Sequence, residues 1–293
     1  MIFKGAGTAL TTPFKENGEI DYKAYQDLVD FQVKNSIDAL VVAGTTGESP
    51  VLSEEEKIKL TEITLDRANG VPVIVGTGSN DTRQAALSSK TFSDMGVEGL
   101  LVVTPYYNKA TKEGLFKHYK AVNDAVDVPI ILYTVPGRTG MGIDLDVLVD
   151  LAKLDNVRAI KDATGSLAYG ANVKNLLGED FALYSGNDNL TVPYLSIGGS
   201  GVISVTSNIL PREMHDMCYD FFEGNYKKAG KTQIRFTDLM TNLFRETSPA
   251  PIKAALELIG IKAGSPKLPL TDASEETVAL IKENLKDLGV IDA

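Results

Sequence analysis

Eight short apolar, β-branched runs recur along the chain. Each ends in Gly, Thr, Pro or Asn and leads into a longer segment of helical period. The runs are Gly5–Leu10, Ala39–Ala43, Val73–Val75, Gly99–Val103, Ile130–Tyr133, Val157–Lys161, Ala182–Tyr184 and Gly201–Val205. Their spacing, roughly 20 to 35 residues, is that of a βα unit. Runs such as Ala39-Leu40-Val41-Val42-Ala43 lack the polar alternation of a half-exposed strand. They suit parallel strands covered on both faces. The pattern predicts an α/β protein, a (β/α)8 TIM barrel, with a doubly wound open sheet as runner-up.

The intervening segments carry their own signals. Ser53-Glu54-Glu55-Glu56 has the form of a capping box. Ile58, Leu60, Ile63 and Leu65 follow at helical spacing, as a broad and imperfect stripe. Asp81 is placed to cap the helix that runs through Phe92, and Asp144 the helix after Tyr133. Strand signals stop after about Asn208. Pro211–Phe222, Tyr226–Phe244, Pro251–Ile259 and Glu275–Leu288 all read as helices. The expected organisation is a barrel over residues 1–224 and a C-terminal helical extension over 225–293.

Composition narrows the chemistry. The chain of 293 residues has only two histidines, His118 and His215, and one cysteine, Cys218. A Cys/His metal site needs three or four such ligands, so no metal site is expected. No disulfide can form within the chain, and a reduced cytoplasm is the simplest compartment. Lys and Arg total 29 against 39 Asp and Glu, a formal charge of -10. Such a chain is poorly suited to bind nucleic acid or an anionic membrane surface. No apolar run approaches the roughly 18 residues needed to span a bilayer, and the first residues do not read as a secretory signal.

A barrel of this kind works at the carboxyl ends of its strands. There the sequence places Gly44-Thr45-Thr46-Gly47-Glu48, Thr104-Pro105-Tyr106-Tyr107, Tyr133 through Gly140, Lys161 through Gly165, and Ser185-Gly186-Asn187-Asp188. Strand alternation puts Val157, Ala159 and Lys161 on one face. If the small residues face inward, Lys161 points into the barrel mouth. A desolvated lysine becomes a nucleophilic amine near neutrality, as Schiff-base chemistry requires. A lysine that snorkels to solvent is the other reading of that position. Tyr133 and Tyr107 could relay protons where histidine is scarce, and Thr45 and Thr46 could hold them. Backbone amides of the Gly44–Gly47 turn could bind a carboxylate, and Arg138 could clamp a second one. The Gly198-Gly199-Ser200-Gly201 run is a weaker candidate, for phosphate.

Taken together, Gly-Thr-Thr-Gly-Glu at 44–48, Thr-Pro-Tyr-Tyr at 104–107, Tyr-x-Val-Pro-Gly-Arg-Thr-Gly at 133–140 and Ile-Lys-x-Ala-Thr-Gly at 160–165 resemble the dihydrodipicolinate synthase family. That family belongs to the pyruvate-dependent class I aldolases, with N-acetylneuraminate lyase. The resemblance spans nearly the whole chain. It implies that pyruvate forms a Schiff base with Lys161 and that the derived enamine attacks L-aspartate 4-semialdehyde. It further implies that Tyr133, Thr45 and Tyr107 relay protons, Tyr107 reaching in from a neighbouring subunit. Thr45 and Thr46 would hold the pyruvate carboxylate, Arg138 the semialdehyde carboxylate, and the backbones of Gly186 and Ile203 would line the pocket. No metal or organic cofactor is implied. A homotetramer, built as a dimer of dimers, is.

Some positions depart from the family pattern. Thr134 stands where Asn is common, and Asp162 where Glu is common. Lysine-inhibited relatives often carry His and an acidic residue where this chain has Glu54, Lys57 and Gln84, although Asn80 and Tyr106 remain. Lysine inhibition is therefore expected to be weak or absent. The competing readings are a 2-keto-3-deoxy sugar acid aldolase or N-acetylneuraminate lyase-like enzyme, and a non-catalytic small-molecule-binding barrel.

Overall fold

The structure, a computed structural model, describes residues 2–292. Its strands are β1 (Gly5–Ala9), β2 (Ala39–Val42), β3 (Val73–Gly76), β4 (Gly99–Val103), β5 (Ile130–Thr134), β6 (Val157–Asp162), β7 (Ala182–Ser185) and β8 (Gly201–Ser204). Their order in space is their order in sequence, closed into a barrel. Each of the eight expected strands is present, with ends shifted by no more than one residue. The (β/α)8 reading holds and the open sheet falls. Burial explains why the apolar runs were so continuous. Within the strands only Val103 and Arg158 are not buried, as expected where helices cover one face and the barrel interior the other.

The helices are α1 (Tyr22–Lys34), α2 (Glu54–Arg67), α3 (Thr82–Asp94), α4 (Lys112–Asn123), α5 (Pro136–Thr139) and α6 (Leu145–Leu151). They continue with α7 (Leu167–Leu177), α8 (Thr191–Ser196), α9 (Pro211–Phe222), α10 (Tyr226–Asn242), α11 (Ala250–Leu258) and α12 (Glu275–Asp287). The Ser53–Glu56 capping box forms in both directions, and Asp81 caps α3 by accepting from the amides of Arg83 and Gln84. Two local expectations need correction. Asp144 occupies the N-cap of α6, but its carboxylate makes no cap bond; it pairs with Lys112 at 2.9 Å. The short α5 also intervenes between Tyr133 and that helix. On α2 the buried residues are Leu60, Thr61, Ile63 and Thr64, while Ile58 and Leu65 are only half-buried. Threonine serves as an apolar residue there because its hydroxyl can return to the helix backbone. Thr64 donates to the Leu60 carbonyl at 2.8 Å, and Thr61 to that of Lys57 at 2.8 Å.

The described residues pack as two compact units. One comprises residues 2–4 and Pro72–Ile203; the other comprises Gly5–Val71 and residues 204–292. In the first, Phe3 stacks on Tyr184 with ring centroids 4.3 Å apart, and the Tyr184 hydroxyl donates to the Phe3 carbonyl at 2.7 Å. In the second, a closed polar network fastens β1. Thr8 shares its hydroxyl between Gln32 and Ser207, and the Asn208 amide donates to the carbonyls of Ala9 and Val205. Every buried polar group in that network has a partner, which is the condition under which such a network stabilises.

Candidate active site

The first unit holds the amine. Parallel pairing of β5 with β6 sets Tyr133 opposite Lys161. Both belong to strands whose sequence alternation aims these side chains the same way. The Lys161 ammonium lies 4.5 Å from the centroid of the Tyr133 ring, and the residue is 6% exposed. Burial lowers the lysine pKa from 10.5 to about 8; Asp188, itself buried, opposes the shift and Arg138 adds to it. The snorkelling reading therefore fails, since the stem and its amine are both enclosed. The main cause is desolvation, and the two charged neighbours act in opposite directions.

Around this pair the strand ends are held by their own residues. Asp162 points to the opposite side of β6 from Lys161. Its carboxylate accepts from the Tyr194 hydroxyl at 2.6 Å and the Thr164 amide at 2.8 Å. Its pKa is raised by burial, against the hydrogen bond from Tyr194. The Asp162 carbonyl accepts the Gly186 amide at 2.7 Å, so β6 and the end of β7 are locked together beside the amine. Gly186 is required there: a Cβ would sit 2.7 Å from that of Ala163. Ile203 lies buried in β8. Arg138 stands exposed on α5, whose position is set by Thr139. That hydroxyl accepts from Thr104 at 3.1 Å and donates to the Met141 carbonyl at 2.7 Å.

Tyr107 does not join this cluster within one chain. It is 92% exposed and holds φ at 71°, a left-handed conformation that is uncommon for a bulky residue. Backbone strain of this kind persists where surroundings over-determine it. Here Asn108 anchors the turn, its amide to the Tyr106 carbonyl at 2.9 Å and its side chain to the Asn80 carbonyl at 3.0 Å.

Thr45 and Thr46 lie in the second unit, in the turn after β2. The Gly47 amide donates to the Gly44 carbonyl and that of Glu48 to the Thr45 carbonyl, both at 3.1 Å. Thr12 reaches the Gly47 carbonyl at 2.7 Å, and a Cβ on Gly47 would meet the Leu10 carbonyl at 3.0 Å. Glu48 closes the turn with φ 58° and a buried carboxylate paired to Lys253 at 2.8 Å.

The weaker glycine motif has a structural explanation. The amides of Gly199 and Ser200 donate to the carbonyls of Tyr194 and Leu183, so the 198–201 run shapes a turn and spends those donors on the chain. Among the described residues, no three His, Cys, Asp or Glu side chains gather to hold a metal ion, and no helix is long and apolar enough to cross a membrane.

The chain as a whole is similar to proteins of known sequence and structure. The profile of the dihydrodipicolinate synthetase family matches residues 2–288. The chain belongs to that family. The 4-hydroxy-tetrahydrodipicolinate synthase of Clostridium tetani is 47% identical over 292 residues, covering 99% of each chain. The crystal structure of dihydrodipicolinate synthase from Thermotoga maritima superposes with a TM-score of 0.96 at 44% identity, covering 99% of this chain and 100% of that one. The enzyme from Cyanidioschyzon merolae, crystallised with lysine bound, has a TM-score of 0.96 at 38% identity, covering 99% of each chain. As a member of this family the chain is a lyase of the class I aldolase type, and the reading as a non-catalytic barrel falls.

Sequence reasoning missed several residues that shape the site. Asp188 was visible at the end of β7 but carried no motif of its own. Asp162 was seen only as a departure from a pattern. Lys253 gave no signal at all, because its partner Glu48 belongs to a distant part of the chain.

Proposed function

We propose that this family member condenses pyruvate with L-aspartate 4-semialdehyde and cyclises the adduct, the first committed step towards diaminopimelate and lysine. The observation that carries this reading is Lys161: buried, beside the Tyr133 ring, with its pKa lowered to about 8. Its neutral amine attacks C2 of pyruvate. Tyr133, with Thr45 of the same chain and the partner subunit's Tyr107, delivers the protons that let the carbonyl oxygen leave as water. The resulting iminium acidifies C3, which loses a proton to give the enamine. The enamine carbon attacks the semialdehyde carbonyl, and that oxygen takes a proton from the relay. The amino group of the semialdehyde-derived part then adds to C2 and displaces Lys161, closing the ring and regenerating the amine.

Thr45 and Thr46 hold the pyruvate carboxylate. Arg138 holds that of the semialdehyde, and its exposed guanidinium suits an incoming second substrate. Gly186 and Ile203 line the pocket through their backbones. The imine serves as the electron sink, so the reaction needs no metal or organic cofactor. The exposure and strain of Tyr107 support a homotetramer in which that side chain completes a neighbouring site. We place the enzyme in the cytoplasm.

The test is reductive trapping. The protein is incubated with pyruvate, reduced with borohydride and weighed. The reading requires a mass increase that is lost in Lys161→Ala; an unmodified wild-type chain would reject it. Supplying active enzyme with the semialdehyde or with a sugar aldehyde then separates the synthase from a sugar-acid aldolase.

A further inference from the structure

A second buried lysine lies in the other unit. Lys253 on α11 sits with its ammonium 2.8 Å from the Glu48 carboxylate, and both side chains are almost wholly enclosed. The same ammonium lies 4.2 Å from the centroid of the Phe14 ring and donates to the Ser265 carbonyl at 3.3 Å. The other Glu48 oxygen accepts the Lys267 amide at 2.8 Å. The strap from 263 to 267 is in turn fastened to Phe14. The Phe14 amide donates to the Ala263 carbonyl, and Gly264 lies so close that its Cβ would stand 1.9 Å from the Phe14 oxygen.

Burying an ion pair is a poor way to gain stability. This one is attached at a place where stability is already being spent. Glu48 is a non-glycine residue in the left-handed region, and Ala43, just before the turn, has φ 49°. Such conformations survive only under external constraint. The turn between them carries Thr45 and Thr46. Its Gly47 carbonyl is held from one side by Thr12, and Glu48 from another by Lys253 and the Lys267 amide.

We infer that Lys253, acting through Glu48, is a positioning residue that sets the Gly44–Gly47 turn in the shape that receives the pyruvate carboxylate. The inference rests on the reading that Thr45 and Thr46 bind that carboxylate. It assigns to the C-terminal helices a role in first-substrate affinity.

The test compares Lys253→Met with the double variant Glu48→Gln/Lys253→Met. Removing Lys253 alone leaves a buried unpaired carboxylate and should lower the unfolding midpoint; neutralising both should restore much of it. Both variants should nevertheless need about tenfold more pyruvate for half-maximal borohydride trapping at Lys161. At saturating pyruvate the trapped yield and the KM for the semialdehyde should stay near wild type. Half-saturation that recovers along with stability in the double variant would overturn the inference, as would equal losses for the two substrates. If neither variant keeps its circular dichroism spectrum, Glu48→Gln decides: it keeps the side-chain volume and an oxygen for the Lys267 amide but loses the charge that Lys253 meets, and unchanged half-saturation would overturn the same claim. A wild-type protein that pyruvate and borohydride leave unmodified refutes the underlying reading instead, so the two failures are distinct.

Discussion

Replacing Lys161 with methionine should make the protein more stable and do so only below alkaline pH. Burial pulls the lysine pKa from 10.5 to about 8. That shift means the folded state carries its ammonium at a cost of about 3 kcal/mol at neutral pH. Below pH 8 the lysine is charged in both states and the folded state bears the whole cost. Between pH 8 and 10.5 the unfolded chain holds more protons than the folded one, so stability rises with pH. Above 10.5 both states are neutral and the cost is gone. Lys161→Met keeps most of the side-chain volume and has nothing to titrate. Urea unfolding of both proteins, followed by circular dichroism from pH 7 to pH 11, isolates the contribution, because all other groups titrate in both. The variant's advantage should shrink by about 3 kcal/mol across that range. An advantage that is absent at pH 7, or that does not change with pH, would refute the desolvation argument.

Three further outcomes follow from particular residues. Tyr107→Phe should cut turnover by about a hundredfold or more while Schiff-base trapping by pyruvate changes far less, since only the phenolic proton is lost; equal losses would argue against a relay role. Thr134 is buried with a hydroxyl that meets no partner among the described residues, so Thr134→Val should raise the unfolding free energy by about 1 kcal/mol in denaturant titration, and a loss would count against that assignment. Millimolar lysine should leave the rate nearly unchanged, because the matching positions present Glu54, the half-buried cation of Lys57, and Gln84; strong inhibition in a rate assay would sink that expectation.

The barrel was legible because its strands are buried on both faces. Continuous apolar runs of that kind mark themselves without reference to the rest of the chain. Ser53 and Asp81 were readable for a similar reason: a cap is decided by residues within one turn. Asp144 was not, because its carboxylate had a competitor in Lys112, on a different helix. The α2 stripe was half misread because threonine looks polar until its hydroxyl is seen to turn back on the helix. Lys161 could be suspected from alternation, but its burial and the charges of Asp188 and Arg138 belong to three separate strand ends. Lys253 and Glu48 were beyond local reading altogether, as nothing near either residue announces the other.

Those two buried lysines show what separates an amine held for chemistry from one held for shape. Burial depresses both pKa values. Lys253 meets a carboxylate at 2.8 Å, a contact that favours the ammonium through both its charge and its hydrogen bond. Lys161 has the face of a phenol, an acidic neighbour in Asp188, and a second cation in Arg138 that works against its charge. At pH 7 an amine of pKa about 8 is roughly one-tenth neutral, against about three in ten thousand at 10.5, so the site holds about 300-fold more nucleophile. The free energy that weakens the fold is the same free energy that supplies this population. The initial rate of pyruvate trapping should therefore climb about tenfold per pH unit below 8 and flatten above it. Arg138→Ala should move that half-point upward, because removing the cation lets Lys161 keep its proton longer. A profile still climbing at pH 9.5, or a half-point that Arg138→Ala moves downward, would show that the amine is not tuned by the groups that surround it.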